Sequence, residues 1–335
     1  MWLSNRSWMP IGSLSTARRL DARIVISMNG EKSLGVQKPR RLKPGARIGV
    51  VAPAGCVEAD SLRRGLEAIR AEGFTVELGR AVRARKGYLA GDAAARAEDL
   101  SEFFQRSDID AIFCARGGFG SIQVLPHLGP ELRNCAKIFV GYSDITILLN
   151  WLYQSCGMVT FHAPMVAEDL ARGLGERAKR YFWDSLTGRL AGWSMALDRS
   201  IRPGHAEAEV VGGCLSLLVT TLGTPYEIET RGKLLFVEDV GEMPYRLERM
   251  LTHLKMAGKL DHVAGVVFGD FSRCADGGTR DLHEIAADLF SDARYPVAMG
   301  MKAGHGEENL TLPIGASMRL DGDSATLALL ESPVS

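Results

Sequence analysis

The sequence predicts an α/β fold, with an N-terminal domain built on a parallel sheet and a smaller β-rich domain after it. Between residues 45 and 165, strand-like runs alternate with helical runs, which is typical of parallel strands covered by helices. From about residue 207 the apolar runs become shorter and mixed, which favours a β-rich C-terminal domain over 207–335. The segment 166–206 is rich in Arg, Gly and polar residues, and we expect it to connect the two domains.

The first domain, over 41–165, is defined by strand and helix patterns that follow one another along the chain. The strand-like runs are R-I-G-V-V-A, A-I-F-C-A and K-I-F-V-G, at 47–52, 111–115 and 137–141. Helical patterns occur at 61–70, 93–104 and 145–153. We therefore predict a flavodoxin-like parallel sheet, in which a ligand crevice lies at the carboxyl ends of the strands.

Ser143 lies on the turn between the third strand-like run and the helix that follows it. A serine there projects from a strand end, and the unpaired amide of Asp144 can donate to an oxyanion. The turn resembles a nucleophile elbow, although Ile145 replaces the second glycine of G-x-S-x-G. The alternative is that Ser143 only caps the helix, which is a common role of serine.

The second chemical feature is R-G-G-F-G at 116–120, directly after the run A-I-F-C-A. Its glycines allow backbone amides to approach a ligand closely, so Gly117 and Gly118 are candidate donors to an oxyanion or a phosphate. The loop matches neither G-x-G-x-x-G nor the P-loop pattern. The alternative is a tight strand-to-helix turn that needs positive φ.

An acid and a base follow in the second half of the chain. Glu238 ends the strand-like run K-L-L-F-V, and His305 lies in the glycine-flanked loop G-H-G. An acid at a strand end can orient an imidazole, and small neighbours leave an imidazole free to reach across a cleft. The alternatives are that Glu238 caps the next helix or is solvated, and that His305 is an exposed loop residue. The order nucleophile, acid, base favours a metal-free acyl-transfer enzyme.

Several segments together resemble the LD-carboxypeptidase family of serine peptidases, which includes muramoyltetrapeptide carboxypeptidases and microcin-immunity-type relatives. They are G-Y-S-D-I-T, R-G-G-F-G, F-V-E-D-V-G-E-M-P-Y-R-L-E-R-M-L and G-H-G-E-E-N-L-T-L-P-I-G. R-I-G-V-V-A-P-A-G, G-Y-L-A-G, V-T-F-H-A-P and G-T-P-Y extend the resemblance from about residue 45 to the C-terminus. Family members release the terminal D-alanine from cytoplasmic murein tetrapeptides with a Ser-Glu-His triad.

The resemblance implies a role for each candidate residue. Ser143 is expected to be the nucleophile, His305 the general base and then acid, and Glu238 the residue that orients the imidazole. The expected oxyanion donors are the Asp144 amide and a glycine amide of 117–118. The family is commonly dimeric, so the resemblance implies a homodimer, although no segment of the sequence indicates an interface.

Two further residues concern the substrate side of the predicted site. Arg116, beside the glycine loop, is a candidate partner for the terminal carboxylate of a peptide, or else a structural partner of a nearby acid. Cys214 stands in G-G-C where the family usually has G-G-N. This departure affects a hydrogen bond on the substrate side or in the scaffold, and it leaves the triad residues unchanged.

Composition excludes several classes of partner. The 335 residues carry 40 basic and 40 acidic side chains, so no global charge attracts nucleic acid or an anionic membrane. No apolar run approaches the roughly 20 residues that cross a bilayer.

The six cysteines form no C-x-x-C pair, which indicates a reducing compartment and the cytoplasm. No zinc motif H-E-x-x-H is present, so we expect neither metal nor cofactor. Residues 1–40 are expected to be a disordered leader.

Three functions fit this sequence. The first is a carboxypeptidase that acts on murein tetrapeptides. The second is a related serine amidase that cleaves a peptide–nucleotide conjugate of the microcin type, for which the sequence reveals no aromatic pocket. The third is a non-catalytic protein that binds a phosphate ligand through the glycine loop, and it predicts no loss of function when Ser143 is changed.

Overall fold

The computed structural model describes residues 35–190, 192–275 and 280–335. The first half of the chain alternates strands with helices, as the sequence pattern predicts. Its strands are β1 (Arg47–Val51), β2 (Thr75–Leu78), β3 (Ala111–Cys114), β4 (Ile138–Gly141) and β5 (Thr160–His162). Its helices are α1 (Ala59–Ala71), α2 (Ala93–Gln105), the short α3 (Ser121–Val124) and α4 (Thr146–Cys156).

The second half begins with a helix and then contains most of the strands. Its helices are α5 (Glu176–Thr187), α6 (Leu215–Thr221), α7 (Pro244–Met256) and α8 (Leu282–Leu289). Its longer strands are β8 (His205–Cys214), β9 (Leu234–Val240) and β10 (Gly265–Ser272). The remaining strands are β6 (Trp193–Ala196), β7 (Arg199–Arg202), β11 (Val297–Met299), β12 (Leu312–Ile314), β13 (Ser317–Asp321) and β14 (Thr326–Leu329).

The first sheet has the strand order β12-β5-β4-β3-β1-β2. Strands β1 to β5 are parallel and follow the order 2-1-3-4-5, which is the flavodoxin-like arrangement. Strand β12 comes from the C-terminal half and pairs antiparallel with β5. The predicted α/β fold with a parallel first sheet is confirmed, and the sixth strand is an addition that the sequence pattern does not indicate.

The second sheet has the order β6-β14-β13-β8-β9-β10-β11-β7. Its centre is parallel, because β9 pairs in parallel with both β8 and β10, and β10 does so with β11. The outer pairings are antiparallel. The carboxyl ends of β8 and β9 therefore lie side by side, with Cys214 opposite Glu238.

Two predicted segments take a different form in the structure. Strand β9 continues past Glu238 to Val240, because Asp239 and Val240 still pair with β10. The carboxylate of Asp239 accepts the backbone amides of Ser216 and Val240, both at 2.8 Å. The segment 166–206, expected to be a connection, contains α5, β6 and β7.

The N-terminal leader lies mostly outside the described residues, which begin at residue 35. Residues 35–40 are described, and the backbone amide of Gln37 donates to the carbonyl of Gly157, just after α4, at 2.7 Å. Within the three described ranges, no helix combines the length and the apolar character needed to cross a bilayer.

Helix α4 joins the two sheets through a buried asparagine. Asn150 is 4% exposed, and its side-chain amide donates to the carbonyl of Gly212 at 2.9 Å. Its side-chain oxygen accepts the amide of the same glycine, also at 2.9 Å. The next residues of β8 approach closely as well, because the amide of Cys214 donates to the hydroxyl of Thr146 at 3.1 Å. The helix that follows Ser143 is thus fixed to the second sheet by directional bonds.

We predict that Asn150→Leu lowers the free energy of unfolding by about 2–6 kcal/mol, because it leaves both backbone groups of Gly212 buried and unpaired at about 1–3 kcal/mol each. Urea denaturation of the purified variant measures this loss. Ser155→Ala, on the same helix, is the control and should change stability by less than about 0.5 kcal/mol. A loss below about 1 kcal/mol for Asn150→Leu would show that water replaces the two hydrogen bonds between Asn150 and Gly212.

Candidate active site

Ser143 lies on a strained turn between β4 and α4. Its φ is +61°, a left-handed value that non-glycine residues adopt rarely and that clusters at functional sites. The residue is partly exposed and begins a one-turn 3₁₀ segment, Ser143–Ile145, that leads into α4. Among the described contacts its hydroxyl caps no helix, because Tyr142 and Ile145 occupy the cap positions.

The glycine loop packs directly against this serine. A Cβ placed on Gly117 would lie 2.9 Å from the Cβ of Ser143, 3.0 Å from its Oγ and 3.3 Å from the amide nitrogen of Asp144. Gly118 has a φ of +108°, which only glycine adopts without strain. Residue 117 must therefore lack a side chain if the loop is to approach the serine.

The carboxylate of Asp144 fixes the same turn to the start of α3. It is 1% exposed and accepts the backbone amide of Ser121, at the start of α3, at 2.8 Å. Burial raises the pKa of Asp144, and the hydrogen bond from Ser121 opposes that shift. The Asp144 side chain is therefore part of the scaffold, while its backbone amide remains beside Gly117.

Glu238 and His305 form a hydrogen-bonded pair. The Nδ1 of His305 lies 2.7 Å from Oε2 of Glu238, and the backbone amide of His305 donates to the same oxygen at 3.2 Å. Glu238 is fully buried within β9. A side chain at Gly304 would clash with the carboxylate, and the amide of Gly304 donates to Asn309 Oδ1 at 3.1 Å. When Glu238 is ionised its carboxylate only accepts, so Nδ1 carries the proton and Nε2 is the free ring nitrogen.

Opposing effects set the charge of this pair. Burial lowers the pKa of His305, but the hydrogen bond and the negative charge of Glu238 outweigh it and the net shift is upward. Burial raises the pKa of Glu238, and the hydrogen bond and charge of His305 partly offset that rise. The carboxylate therefore favours the imidazolium that a general base forms when it accepts a proton.

Tyr142 connects the serine turn to this pair. Its ring centroid lies 4.9 Å from that of His305, in an edge-on contact. Its hydroxyl donates to the buried carboxylate of Asp169 at 3.4 Å. Since Tyr142 directly precedes Ser143, three segments that are far apart in sequence meet in one region: the turn after β4, the strand β9 and the loop at 302–311.

Arg116 lies at the edge of the same region. Its guanidinium donates to the carbonyl of Cys56 at 3.2 Å, and its Nε lies 3.5 Å from a carboxylate oxygen of Glu168. The acid that the structural alternative requires is therefore present. The role of Arg116 in substrate binding stays a prediction.

Sequence reasoning misses two residues of the site. Tyr142 enters it only as part of G-Y-S-D, and His162 only as part of V-T-F-H-A-P. His162 is fully buried, with its ring centroid 5.7 Å from Tyr142 and 5.2 Å from Phe236. Burial, and secondarily the charge of His305, lowers the pKa of His162 to about 3, so its ring stays neutral. A histidine inside an apolar strand is the signal that the sequence offers.

One group of side chains in the described part of the chain could hold a metal ion, formed by His205, Asp321 and Asp323. His205 begins β8, whereas Cys214 ends it. At about 3.3 Å per strand residue, the two ends lie about 30 Å apart. This group therefore plays no part in the arrangement around Glu238.

We predict that Glu238→Gln lowers the pKa of His305 relative to the wild type, because burial remains while the main charge that opposes it is removed. An NMR titration of the imidazole Cε1 proton measures the shift. Glu307→Gln removes an exposed acid from the same loop and should leave the titration unchanged. An unchanged His305 titration in Glu238→Gln would mean that the pair is not coupled in solution.

Comparisons with known proteins cover both halves of the chain. Residues 48–163 match a family described as the LD-carboxypeptidase N-terminal domain, and residues 207–320 match the LD-carboxypeptidase C-terminal domain. A protein of Bacillus subtilis named probable murein peptide carboxypeptidase is 39% identical over 316 residues, which cover 92% of this chain and 98% of that protein.

Two further relatives are a microcin self-immunity protein and a muramoyltetrapeptide carboxypeptidase. The microcin C7 self-immunity protein MccF of Escherichia coli is 28% identical over 321 residues, covering 85% of this chain and 92% of that protein. The crystal structure of muramoyltetrapeptide carboxypeptidase from Oxalobacter formigenes has a TM-score of 0.78 and 28% identity, and covers 85% of this chain and 98% of that one. This chain belongs to the LD-carboxypeptidase family of peptidases.

Proposed function

We propose that this enzyme is a serine carboxypeptidase that releases the terminal D-alanine from murein tetrapeptides in the cytoplasm. Ser143, His305 and Glu238 are its nucleophile, general base and orienting acid. The observation that carries this proposal is the 2.7 Å contact between Nδ1 of His305 and the buried carboxylate of Glu238. It leaves Nε2 as the nitrogen that accepts a proton from a serine.

The reaction proceeds in two halves. Ser143 Oγ attacks the carbonyl carbon of the scissile peptide bond while His305 Nε2 takes the hydroxyl proton. The same proton then passes to the departing nitrogen of D-alanine, which leaves an acyl-enzyme. Water, deprotonated by His305, attacks the ester, and the proton returns to Ser143 as the shortened peptide departs. Glu238 stabilises the imidazolium in both halves.

Backbone amides beside Ser143 are suited to stabilise the negative oxygen of each tetrahedral intermediate. The amide of Asp144 and an amide of Gly117 or Gly118 are the proposed donors. Their closeness is supported by the 3.3 Å that would separate a Cβ at Gly117 from the Asp144 nitrogen. The donors belong to rigid backbone, so they need no reorganisation during the reaction.

The choice of murein tetrapeptide follows from the relatives and from one cation. Relatives along most of the chain are named murein peptide or muramoyltetrapeptide carboxypeptidase. A carboxypeptidase must recognise a terminal carboxylate, and Arg116 offers a guanidinium next to the glycine loop. Its side chain is partly exposed and its ion pair with Glu168, at 3.5 Å, is long enough to be exchanged for a substrate carboxylate.

One observation favours the alternative amidase that acts on a peptide–nucleotide conjugate. Tyr88 and Phe119 are exposed aromatic residues, at 69% and 43%, whose ring centroids lie 6.0 Å apart in an edge-on contact. Phe119 belongs to the glycine loop itself. Exposed aromatic faces stack on nucleobases, and MccF of Escherichia coli belongs to the same set of relatives.

We predict that the purified enzyme releases free D-alanine from a murein tetrapeptide in the presence of a metal chelator, and that Ser143→Ala lowers the rate at least about 10³-fold, because the nucleophile is lost. The assay follows D-alanine over time. Ser155→Ala removes a hydroxyl from helix α4 and should keep the wild-type rate.

The same preparation should be offered an aminoacyl sulfamoyl adenosine as a second substrate. Cleavage of this compound alone, abolished by Ser143→Ala, would replace the murein function with the amidase. No turnover of either compound would favour the non-catalytic binding protein.

We predict that Arg116→Ala raises the KM for the tetrapeptide about 10- to 100-fold with a smaller change in kcat, because a charge-assisted hydrogen bond to the terminal carboxylate is lost. Steady-state kinetics measure both constants. Glu168→Gln separates this role from a structural one, since it breaks the same ion pair and should leave KM nearly unchanged. Equal effects of the two changes would make Arg116 structural.

A further inference from the structure

His162 is a polar residue in a place that favours an apolar one. It is fully buried, and neither ring nitrogen has a hydrogen-bond partner among the described residues. Each buried polar group without a partner lowers the stability of the folded protein. Phenylalanine would fill a similar volume between Tyr142 and Phe236 without that cost. A polar ring at this position therefore requires a reason beyond packing.

His162 belongs to a closed circuit of contacts that contains the proposed base and acid. Its ring touches Tyr142, Tyr142 touches His305, and His305 is bonded to Glu238. The circuit closes through strand β9, because the Phe236 ring touches His162 and lies two residues before Glu238. Residues two apart on a strand share a face and are about 7 Å apart. His162 thus packs against the face of β9 that also carries the Glu238 side chain.

Glu238 also lacks one hydrogen bond. Its Oε2 accepts two donors from His305, whereas its Oε1 is buried and has no partner among the described residues. A buried carboxylate oxygen needs a donor more than almost any other group, since its charge is taken out of water. A neutral imidazole carries one N–H and one bare nitrogen, so it can supply that donor.

We propose that His162 donates a hydrogen bond, through one enclosed water, to Oε1 of Glu238 and is a positioning residue of the catalytic pair. The proposal rests on the proposed function for the role of that pair. His162 keeps Glu238 ionised and oriented, and of these three residues only His305 contacts the substrate.

The consequence is a dependence on pH. With His305 neutral, Glu238 carries an uncompensated charge and relies on its donors; once His305 is protonated, the ion pair stabilises the same charge. Loss of a donor therefore destabilises the active, unprotonated pair more and moves the acidic limb of the rate profile to higher pH. His305 is the titratable group that acts on His162. The titratable groups around Glu238 are His305, Asp239, Cys214 and Tyr142, and Asp169 acts on His305.

The test measures how fast a fluorophosphonate labels Ser143 as a function of pH, in the wild type and in His162→Phe. This probe needs activation of the serine by His305 but no particular peptide substrate. We expect labelling to fall about 10- to 100-fold near neutral pH and the acidic limb to move upward, with a lower thermal stability because a buried carboxylate oxygen loses its donor. His162→Gln and His162→Asn, which restore an amide donor, should recover part of the rate.

Trp193→Phe is the matched control, because the Trp193 indole is another buried donor without a partner among the described residues and lies on β6, in the second sheet. It should leave the profile unchanged. An unchanged profile in His162→Phe, or equal losses in the Phe, Gln and Asn variants, would overturn the proposal. Absence of labelling in the wild type would instead count against Ser143 as the nucleophile.

A second measurement decides the matter if His162→Phe does not fold. In the wild type labelled with ¹⁵N-histidine, NMR should show a neutral His162 ring from about pH 5 to 8 with one N–H protected from solvent. Glu238→Gln should shift that N–H resonance. A His162 ring whose N–H exchanges freely, or does not respond to Glu238→Gln, would also overturn the proposal.

Discussion

The hydrogen bond between Glu238 and His305 is the constraint to which the rest of the site is fitted. A carboxylate that is fully buried is costly unless its oxygens are paired. Here the backbone and ring of one residue, His305, satisfy a single oxygen. This requires the loop to pass so close to β9 that residue 304 must be glycine. Parallel strands on both sides of β9 hold the acid near the carboxyl end of that strand.

The serine and the acid–base pair come from different sheets, so their relative position depends on the contact between the sheets. That contact is polar and directional at its centre: Asn150 binds both backbone groups of Gly212, and Thr146 accepts the amide of Cys214. Apolar packing alone would allow small sliding between layers, whereas two-sided amide pairing fixes a register. The strained turn at Ser143 directly follows Tyr142, which rests on His305. The strained backbone of Ser143 is therefore held between Tyr142 on one side and α4 on the other.

The parallel first sheet and the strands that end near Ser143 and the glycine loop could be predicted, because alternating strand and helix patterns are local properties of the sequence. Strand β12 could not, since L-P-I is three residues long, contains Pro313 and pairs with β5 from more than a hundred residues away. The contacts of Tyr142 and His162 are equally non-local. A pattern of apolar residues indicates that they are buried but not which rings they meet. The domain limits proposed from the sequence stay a prediction.

Cys214, which stands where the resemblance to the family leads us to expect asparagine, still makes the hydrogen bonds of this position. The backbone amide at this position binds Thr146, so any side chain keeps the contact between the sheets. The thiol lies 3.6 Å from a carboxylate oxygen of Asp239, and burial, with the nearby acids, raises the pKa of Cys214 well above its ordinary value. The group therefore stays an S–H and donates to Asp239, as the amide of an asparagine would, but more weakly. Since Asp239 also accepts the amides of Ser216 and Val240, its geometry next to Glu238 survives the weaker donor.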